Sequence, residues 1–381
     1  MSNPLRGTKI ILLEEQMSQS MQKLGLAGCM TIGLALSTQS ALAQSTTNVT
    51  IYGIVDAGIE YTHGVAAGGR KENLTRLNGS NQLASRWGLR GTEDLGGGVK
   101  AVFNLENGFS PDTGNILQSG RLFGRASVVG VESPWGTVLA GRQRNTIFDL
   151  ILVYDPLPLA TYGVTAHDNA FFTQRPDNSI KYSYKAGPLS GSLLYSFGRD
   201  ALTGTPAGSQ SEVPGNSRIG RQMGASLNYA AGPVSVAFGY DQQQGVTAAT
   251  ASEADRRYLL AGIYDIASTR TKLYAGVVRR ENDVPAIDTT SHIYWVGFKQ
   301  GITGQLGLAA QLSRATQSGS PNKATLLGTS LYYDLSKRTQ LYLNMAYVKN
   351  DGASAQGVAN STPAVPGENQ TGVVSGIMHR F

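Results

Sequence analysis

Six arginines carry the clearest chemical potential in this chain: Arg86, Arg90, Arg121, Arg125, Arg142 and Arg175. Several stand in segments where apolar and polar residues alternate, on the polar side. Arg86 and Arg90 oppose Trp87 and Leu89, Arg125 opposes Ala126 and Val128, and Arg175 shares parity with Asp177, Ser179 and Lys181 against Ile180 and Tyr182. A guanidinium keeps its charge at any working pH, so arginines gathered on one face would make a fixed positive field. Asp149 and Asp155 lie between Arg142 and Arg175 in the sequence and could offset it. The simpler alternative is a set of ordinary solvated charges at scattered heights.

Bond-making chemistry finds little support. His63, His167, His292 and His379 show neither His-x-x-x-His nor Glu-x-x-His spacing, which argues against a zinc site. No serine sits in a nucleophile elbow. Gly96-Gly-Gly-Val-Lys100 lacks the Gly-Lys-Ser/Thr of a phosphate loop. Neither catalysis nor a cofactor or metal is expected. Nucleic acid is not an expected partner either, because the basic residues are scattered singly along the chain.

The charged residues must be positioned by elements, and one stretch is unusual. Residues 143–178 separate the strand-like Thr137-Val-Leu-Ala-Gly-Arg142 from Ser179-Ile-Lys-Tyr-Ser-Tyr184. That is far longer than the usual connection of about 2–6 residues. It is also rich in apolar side chains, among them Ile147, Phe148, Leu150, Ile151, Tyr154, Phe171 and Phe172. Such a loop needs a surface to pack on, while its carboxylates need water or a positive partner. It is expected to fold into the lumen of a wide barrel; an exposed lid or a short helical subdomain is the alternative.

The rest of the chain reads as strands. Val49, Ile51, Val55, Ala57, Ile59 and Tyr61 share one face of the first and Asp56 and Glu60 the other; Val99, Ala101, Phe103 and Leu105 oppose Lys100, Asn104 and Glu106. Period-two alternation of this kind marks strands with one apolar and one wet face. The same pattern recurs through 121–131, 137–142, 179–185, 189–197 and onward to 371–381, giving sixteen strands in all. Short turns (132–136, 186–188, 230–233, 335–339) take turns with long polar loops (62–84, 198–220, 241–255, 280–290, 314–324, 349–370). Alternating loop length is the habit of membrane barrels. After residue 43 no apolar run is long enough for a spanning helix, and in hydrocarbon only a closed sheet would then satisfy the backbone. The expected fold is therefore all-β: a 16-stranded antiparallel transmembrane β-barrel, wide enough for an aqueous lumen, with an inward-folded third loop. Tyr52, Tyr61, Trp135, Tyr229, Tyr240, Trp295, Tyr347 and Phe381 fall near strand ends, as interfacial girdles would.

Residues 1–43 read as an N-terminal extension and secretory signal peptide, and 44–381 as the barrel. Lys23 precedes the mostly apolar run Leu24–Ser37, and Ala41-Leu-Ala43 is a small-x-small cleavage signature. Translation is expected to begin at Met17 or Met21. Cleavage would lower the net charge from +6 to about +5 and remove Cys29, the single cysteine.

Several stretches resemble the Gram-negative general porins of the β-proteobacterial type. They include Thr50-Ile-Tyr-Gly-Ile-Val-Asp-Ala-Gly58, the segment from Ser85-Arg-Trp-Gly-Leu-Arg90 to Phe103, Trp135-Gly-Thr-Val-Leu-Ala-Gly-Arg142, Asn178-Ser-Ile-Lys-Tyr182, Leu335-Ser-Lys-Arg-Thr-Gln-Leu-Tyr342 and Gly376-Ile-Met-His-Arg-Phe381. The resemblance implies an outer-membrane homotrimer of water-filled channels, in contact with outer-membrane lipid, passing small hydrophilic solutes and ions. It implies a constriction in which Arg86, Arg125 (with Arg121 the near alternative) and Arg175 face acidic groups on the inward loop. It also implies that Phe381 is read by the barrel assembly machinery. Asp149 and Asp155 join the constriction from charge and position alone, and Arg90 and Arg142 from their wet-face placement. A weak anion preference is expected; a substrate-specific channel or an adhesin-like barrel is the runner-up.

Overall fold

Val49, Ile51, Val55 and Ile59 lie exposed along one face of the first strand, while Asp56, Glu60 and Thr62 are fully buried on the other. That division repeats along a single antiparallel sheet. The computed structural model describes residues 48–157, 161–200, 212–284 and 288–381, so the signal segment and its boundary lie outside the described residues. The strands are β1 (Asn48–Ala67), β2 (Arg70–Gly79), β3 (Arg86–Gly96), β4 (Val99–Gly108), β5 (Ala126–Ser133) and β6 (Gly136–Arg142). Then come β7 (Ser179–Ala186), β8 (Leu189–Ser196), β9 (Gln222–Ala231), β10 (Val234–Gln244), β11 (Ala254–Ile266) and β12 (Thr271–Asn282). The last five are β13 (Thr289–Gly301), β14 (Leu306–Gln317), β15 (Lys323–Asp334), β16 (Thr339–Asp351) and β17 (Gln370–Arg380). Each pairs with its neighbour in sequence except β2, which meets only β1; β17 closes the cylinder on β1, from Ile54↔Arg380 to His63↔Thr371.

Seventeen strands make sixteen positions in the wall. β3 pairs with Asn48–Ile54 of β1, and β2 with Ala57–Ala67 along the same edge. The strand in that position is thus broken at 80–85, where Ser80 turns to φ 68°. Asp56 makes the break affordable. Its carboxylate accepts the Gln82 and Leu83 N–H groups at 2.6 and 2.9 Å and the Tyr342 hydroxyl at 2.6 Å. Those amides would otherwise be stranded without a ladder partner.

Three sequence expectations need correction. The stretch 62–84 is not an open polar loop: β1 runs on to Ala67 and β2 returns from Arg70. The segment 121–131 enters the sheet only at Ala126, and its parity is the reverse of that read, with Val128 buried and Val129 and Val131 exposed. Arg125 escapes the outward parity because it stands before the ladder. Finally, Trp295 is no interfacial aromatic. It is 2% exposed and donates Nε1–H to the Tyr154 carbonyl at 3.0 Å, and Tyr52 likewise points to the polar face, bonding Asn104 and Glu106.

Within 143–178, helix α1 (Thr146–Tyr154) starts where the Asn145 side chain accepts the Phe148 N–H at 2.7 Å. This is ordinary N-capping. Ile147, Leu150, Ile151 and Tyr154 recur at helical spacing and bury one stripe against Ala237, Leu259, Val278 and Trp295 of the wall. Glycines make the room. A Cβ on Gly239 would meet Leu150 Cδ1 at 2.8 Å, one on Gly297 would meet Pro156 Cγ at 2.7 Å, and one on Gly328 the Tyr162 carbonyl at 2.3 Å.

Candidate functional site

Three carboxylates organise the basic residues on the polar face of β3 to β7. Glu106 on β4 accepts from Arg125 Nε at 2.7 Å and Tyr52 Oη at 2.8 Å, with Arg86 Nε at 3.5 Å. The β3–β4 register explains the meeting: Gly88 opposes Glu106, so Arg86 projects on the same face one step along the pleat. Asp177, just before β7, takes Arg142 at 2.7 Å and Arg121 at 2.8 Å; Arg121 also reaches Asp200 at 2.9 Å. Asp149 on α1 pairs with Lys181 of β7 and with Arg144 at 2.6 Å. Burial works against the Asp149 charge, yet Lys181 and then Arg144 outweigh it and hold the carboxyl below its ordinary range.

Arg175 is different. It is buried, gives one N–H to the Thr173 carbonyl at 2.8 Å, and lies 4.9 Å over the Phe148 ring. Among the described residues no carboxylate lies within ion-pair distance of it, and its Nε has no partner. Burial, followed by the charges of Arg125 and Arg144, pushes its pKa well down from the guanidinium value. The Phe148 ring face supplies part of the missing counter-charge. Arg125, Arg175 and Phe148 together border a space of about 520 Å³, and Asp149, Leu150 and Tyr154 on α1 border another of about 640 Å³.

Of the residues singled out from the sequence, Arg86, Arg121, Arg125, Arg142, Arg175 and Asp149 come together here. Arg90 stands farther down β3, exposed, 5.1 Å over the Tyr52 ring. Asp155 is brought elsewhere. It is fully buried, accepting the Leu157 N–H at 2.8 Å and Gln311 Nε2–H at 2.7 Å, and burial pushes its pKa up to about 6. Phe381 is stitched to β1 by a reciprocal pair of backbone bonds with Gly53 at 3.0 and 3.1 Å. Glu106, Arg144, Asp177 and Lys181 were not singled out. Glu106 had a signal, its shared parity with Lys100 and Asn104; its arginine partners emerge only from strand register.

The same segment reaches widely around the wall. Tyr162 donates to Glu60 on β1 at 3.1 Å, Tyr154 meets Ser235 on β10 at 2.5 Å, and Asp168 pairs with Arg257 on β11 at 3.1 Å. His167 bonds Ser313 on β14 at 2.9 Å, and burial pushes its pKa down to about 4. Among the described residues no group of His, Cys, Asp and Glu side chains is placed to hold a metal ion.

A closed antiparallel wall, apolar outside and charged within, defines a membrane-spanning barrel of the channel-forming kind. The chain belongs to the Gram-negative porin family, whose profile matches residues 31–353. It is similar to an outer membrane porin protein of Bordetella pertussis, 32% identical over 413 residues that cover 95% of this chain and all of the relative. It is similar also to outer membrane porin protein 32 of Delftia acidovorans, 31% identical over 92% of this chain and 99% of the relative. Among solved structures, an anion-selective porin from Comamonas acidovorans superposes with a TM-score of 0.75 at 29% identity, covering 88% of this chain and all of that one. The protein is an outer-membrane porin.

Proposed function

We propose that this porin passes small hydrophilic solutes and ions by diffusion, is narrowed by residues 143–178 folded into its lumen, and weakly favours anions. The narrowing is supported by the spread of contacts. Strands β1, β10, β11, β13 and β14 meet the segment through their polar faces, and the two spaces both border on α1. A segment that touches well-separated parts of a closed wall from its polar side bridges the hollow.

The sign of the preference rests on one observation above all. Seven basic side chains (Arg86, Arg121, Arg125, Arg142, Arg144, Arg175, Lys181) meet four carboxylates (Glu106, Asp149, Asp177, Asp200), and Arg175 has no counter-charge. A surplus of fixed charge at a narrow point sets ion preference. The similar Comamonas porin is described as anion-selective. The pairing of most arginines argues for a weak preference.

Reversal potentials in planar bilayers under a salt gradient test the proposal. The wild type should favour chloride over potassium, and Arg86→Ala with Arg175→Ala should move the reversal potential toward the cation side. A cation-preferring wild type, or no shift in the double variant, overturns it. We further propose export by the segment 1–43, assembly as a homotrimer, and recognition of Phe381 by the barrel assembly machinery. Phe381 is about half exposed, which leaves its ring available to be read.

A further inference from the structure

Lipid-facing arginines are costly near the bilayer centre, about 2–4 kcal/mol, and cheap only close to its edge. Arg314 faces outward nevertheless. On β14 it shares parity with exposed Leu312, whereas Gln311 and Ser313 are buried on the other face. It lies three residues inside the strand end at Gln317, roughly 10 Å along a ladder rising about 3.3 Å per residue. The strand register carries a basic group to either side: Arg314 opposes Thr325, which opposes Lys349, and one step nearer the strand end His292 opposes Thr316, which opposes Lys323.

Arg279 and Lys349 on the same outer face already have carboxylate partners in Glu281 and Asp351. Arg314 and Lys323 have none among the described residues. Both lie toward the end of the wall that carries the connection 352–369, the end with the longer loops, which faces outward in such barrels. Beside Arg314 runs a trough of about 610 Å³ along the outer wall. Its floor is low because Gly262 opposes Ala275, and its flanks are exposed Leu260, Val296 and Leu312.

We infer that this outer face of β11 to β15 is a docking site for one phosphate-bearing lipid of the outer leaflet. An acyl chain lies along the trough over Ala275, and a phosphate is held by Arg314 and Lys323. The occupant is argued from charge complementarity. Two unpaired cations stand at the head of an apolar groove that is immersed in lipid, and a phosphate tethered to an acyl chain satisfies both. Arginine binds phosphate through a planar fork, and the contact is strongest away from bulk water.

Native mass spectrometry of the full protein in an uncharged detergent counts the lipids retained. The probes are diphosphorylated lipid A, its dephosphorylated form, and inorganic phosphate as competitor. The wild type should retain the diphosphorylated lipid, and Arg314→Ser with Lys323→Ser should bind it at least tenfold more weakly. Ala275→Trp, which fills the trough and leaves both cations in place, should also weaken it, while Arg314→Lys with Lys323→Arg should largely restore binding. Conductance should be unchanged in all of these, since the residues lie on the outer face, and it reports that each variant folds. Equal retention of the dephosphorylated lipid would mean that the cations merely reach for the interface, and overturns the proposal. Full competition by inorganic phosphate, an unaffected double variant, or an oligomer that retains no lipid because a second copy covers this face, overturns it as well.

Discussion

Trp295 Nε1 donates to the carbonyl of Tyr154, the last residue of α1, at 3.0 Å. The last carbonyls of a helix have no partner inside it. Here a strand residue of the wall supplies one, and it is the point at which the inserted helix is bolted to β13. A buried hydrogen bond of this sort contributes about 1 kcal/mol net. Trp295→Phe removes the donor while retaining an aromatic ring. It should leave the barrel folded, lower its unfolding midpoint slightly, and give noisier single-channel current with a higher mean conductance. Unchanged current noise would mean that the helix is held by packing alone.

Acidification should reveal two opposed groups in the segment. Burial raises the Asp155 pKa to about 6 from an ordinary carboxyl value near 3.8. Stability from that group is fully present at low pH and is lost as pH rises through about 6. Burial lowers the His167 pKa from 6.5 to about 4. Its contribution is present above about 6.5 and is lost as pH falls toward 4. In the wild type the two slopes oppose each other over this window. Asp155→Asn should therefore make the segment acid-sensitive between pH 6.5 and 4, and His167→Asn should make it more stable on acidification. Thermal unfolding of the three proteins across that range decides the matter; parallel pH profiles would count against the assignment.

Gly239 is where the wall yields to the helix. An added Cβ meets Leu150 Cδ1 at 2.8 Å and Ile147 Cγ1 at 3.1 Å, both side-chain atoms of α1. Gly239→Val should displace α1 without breaking the strand ladder, since β-branched residues suit strands. The expected readout is faster swelling of liposomes in larger sugars. An unchanged size cutoff would place the narrowest point elsewhere.

The wall could be read from the chain because alternation of period two is written residue by residue, as in Val55, Asp56, Ile59 and Glu60. β2 could not: Arg70-Lys-Glu-Asn-Leu-Thr-Arg-Leu-Asn-Gly79 is polar nearly throughout and pairs only with the upper half of β1. Arg86 and Arg142 were visible by parity, whereas Arg125 reaches Glu106 from outside the ladder, where parity has no force. Trp295 misled because an aromatic near a strand end looks the same whether lipid or α1 covers it. The helix itself had left a trace in the spacing of Ile147, Leu150, Ile151 and Tyr154. Salt-bridge partners such as Glu106 and Asp177 depend on register and loop path, which no local pattern encodes.

Asp149 offers the sharpest test of the electrostatic argument. It sits on α1 between Lys181 of β7 and Arg144, and it is the only carboxylate that the helix contributes. Removing its charge leaves two cations unpaired beside the passage while the side chain keeps its shape. Asp149→Asn should therefore raise anion preference above the wild type, the reverse of the effect expected from Arg175→Ala. The change should shrink at high salt, because screening shortens the reach of partly exposed charges to about 3 Å at 1 M ionic strength. Chloride-to-potassium permeability ratios at low and high salt provide the measurement. A shift toward cations, or one that ignores salt, would show that Asp149 acts by holding the helix in place and not through its charge.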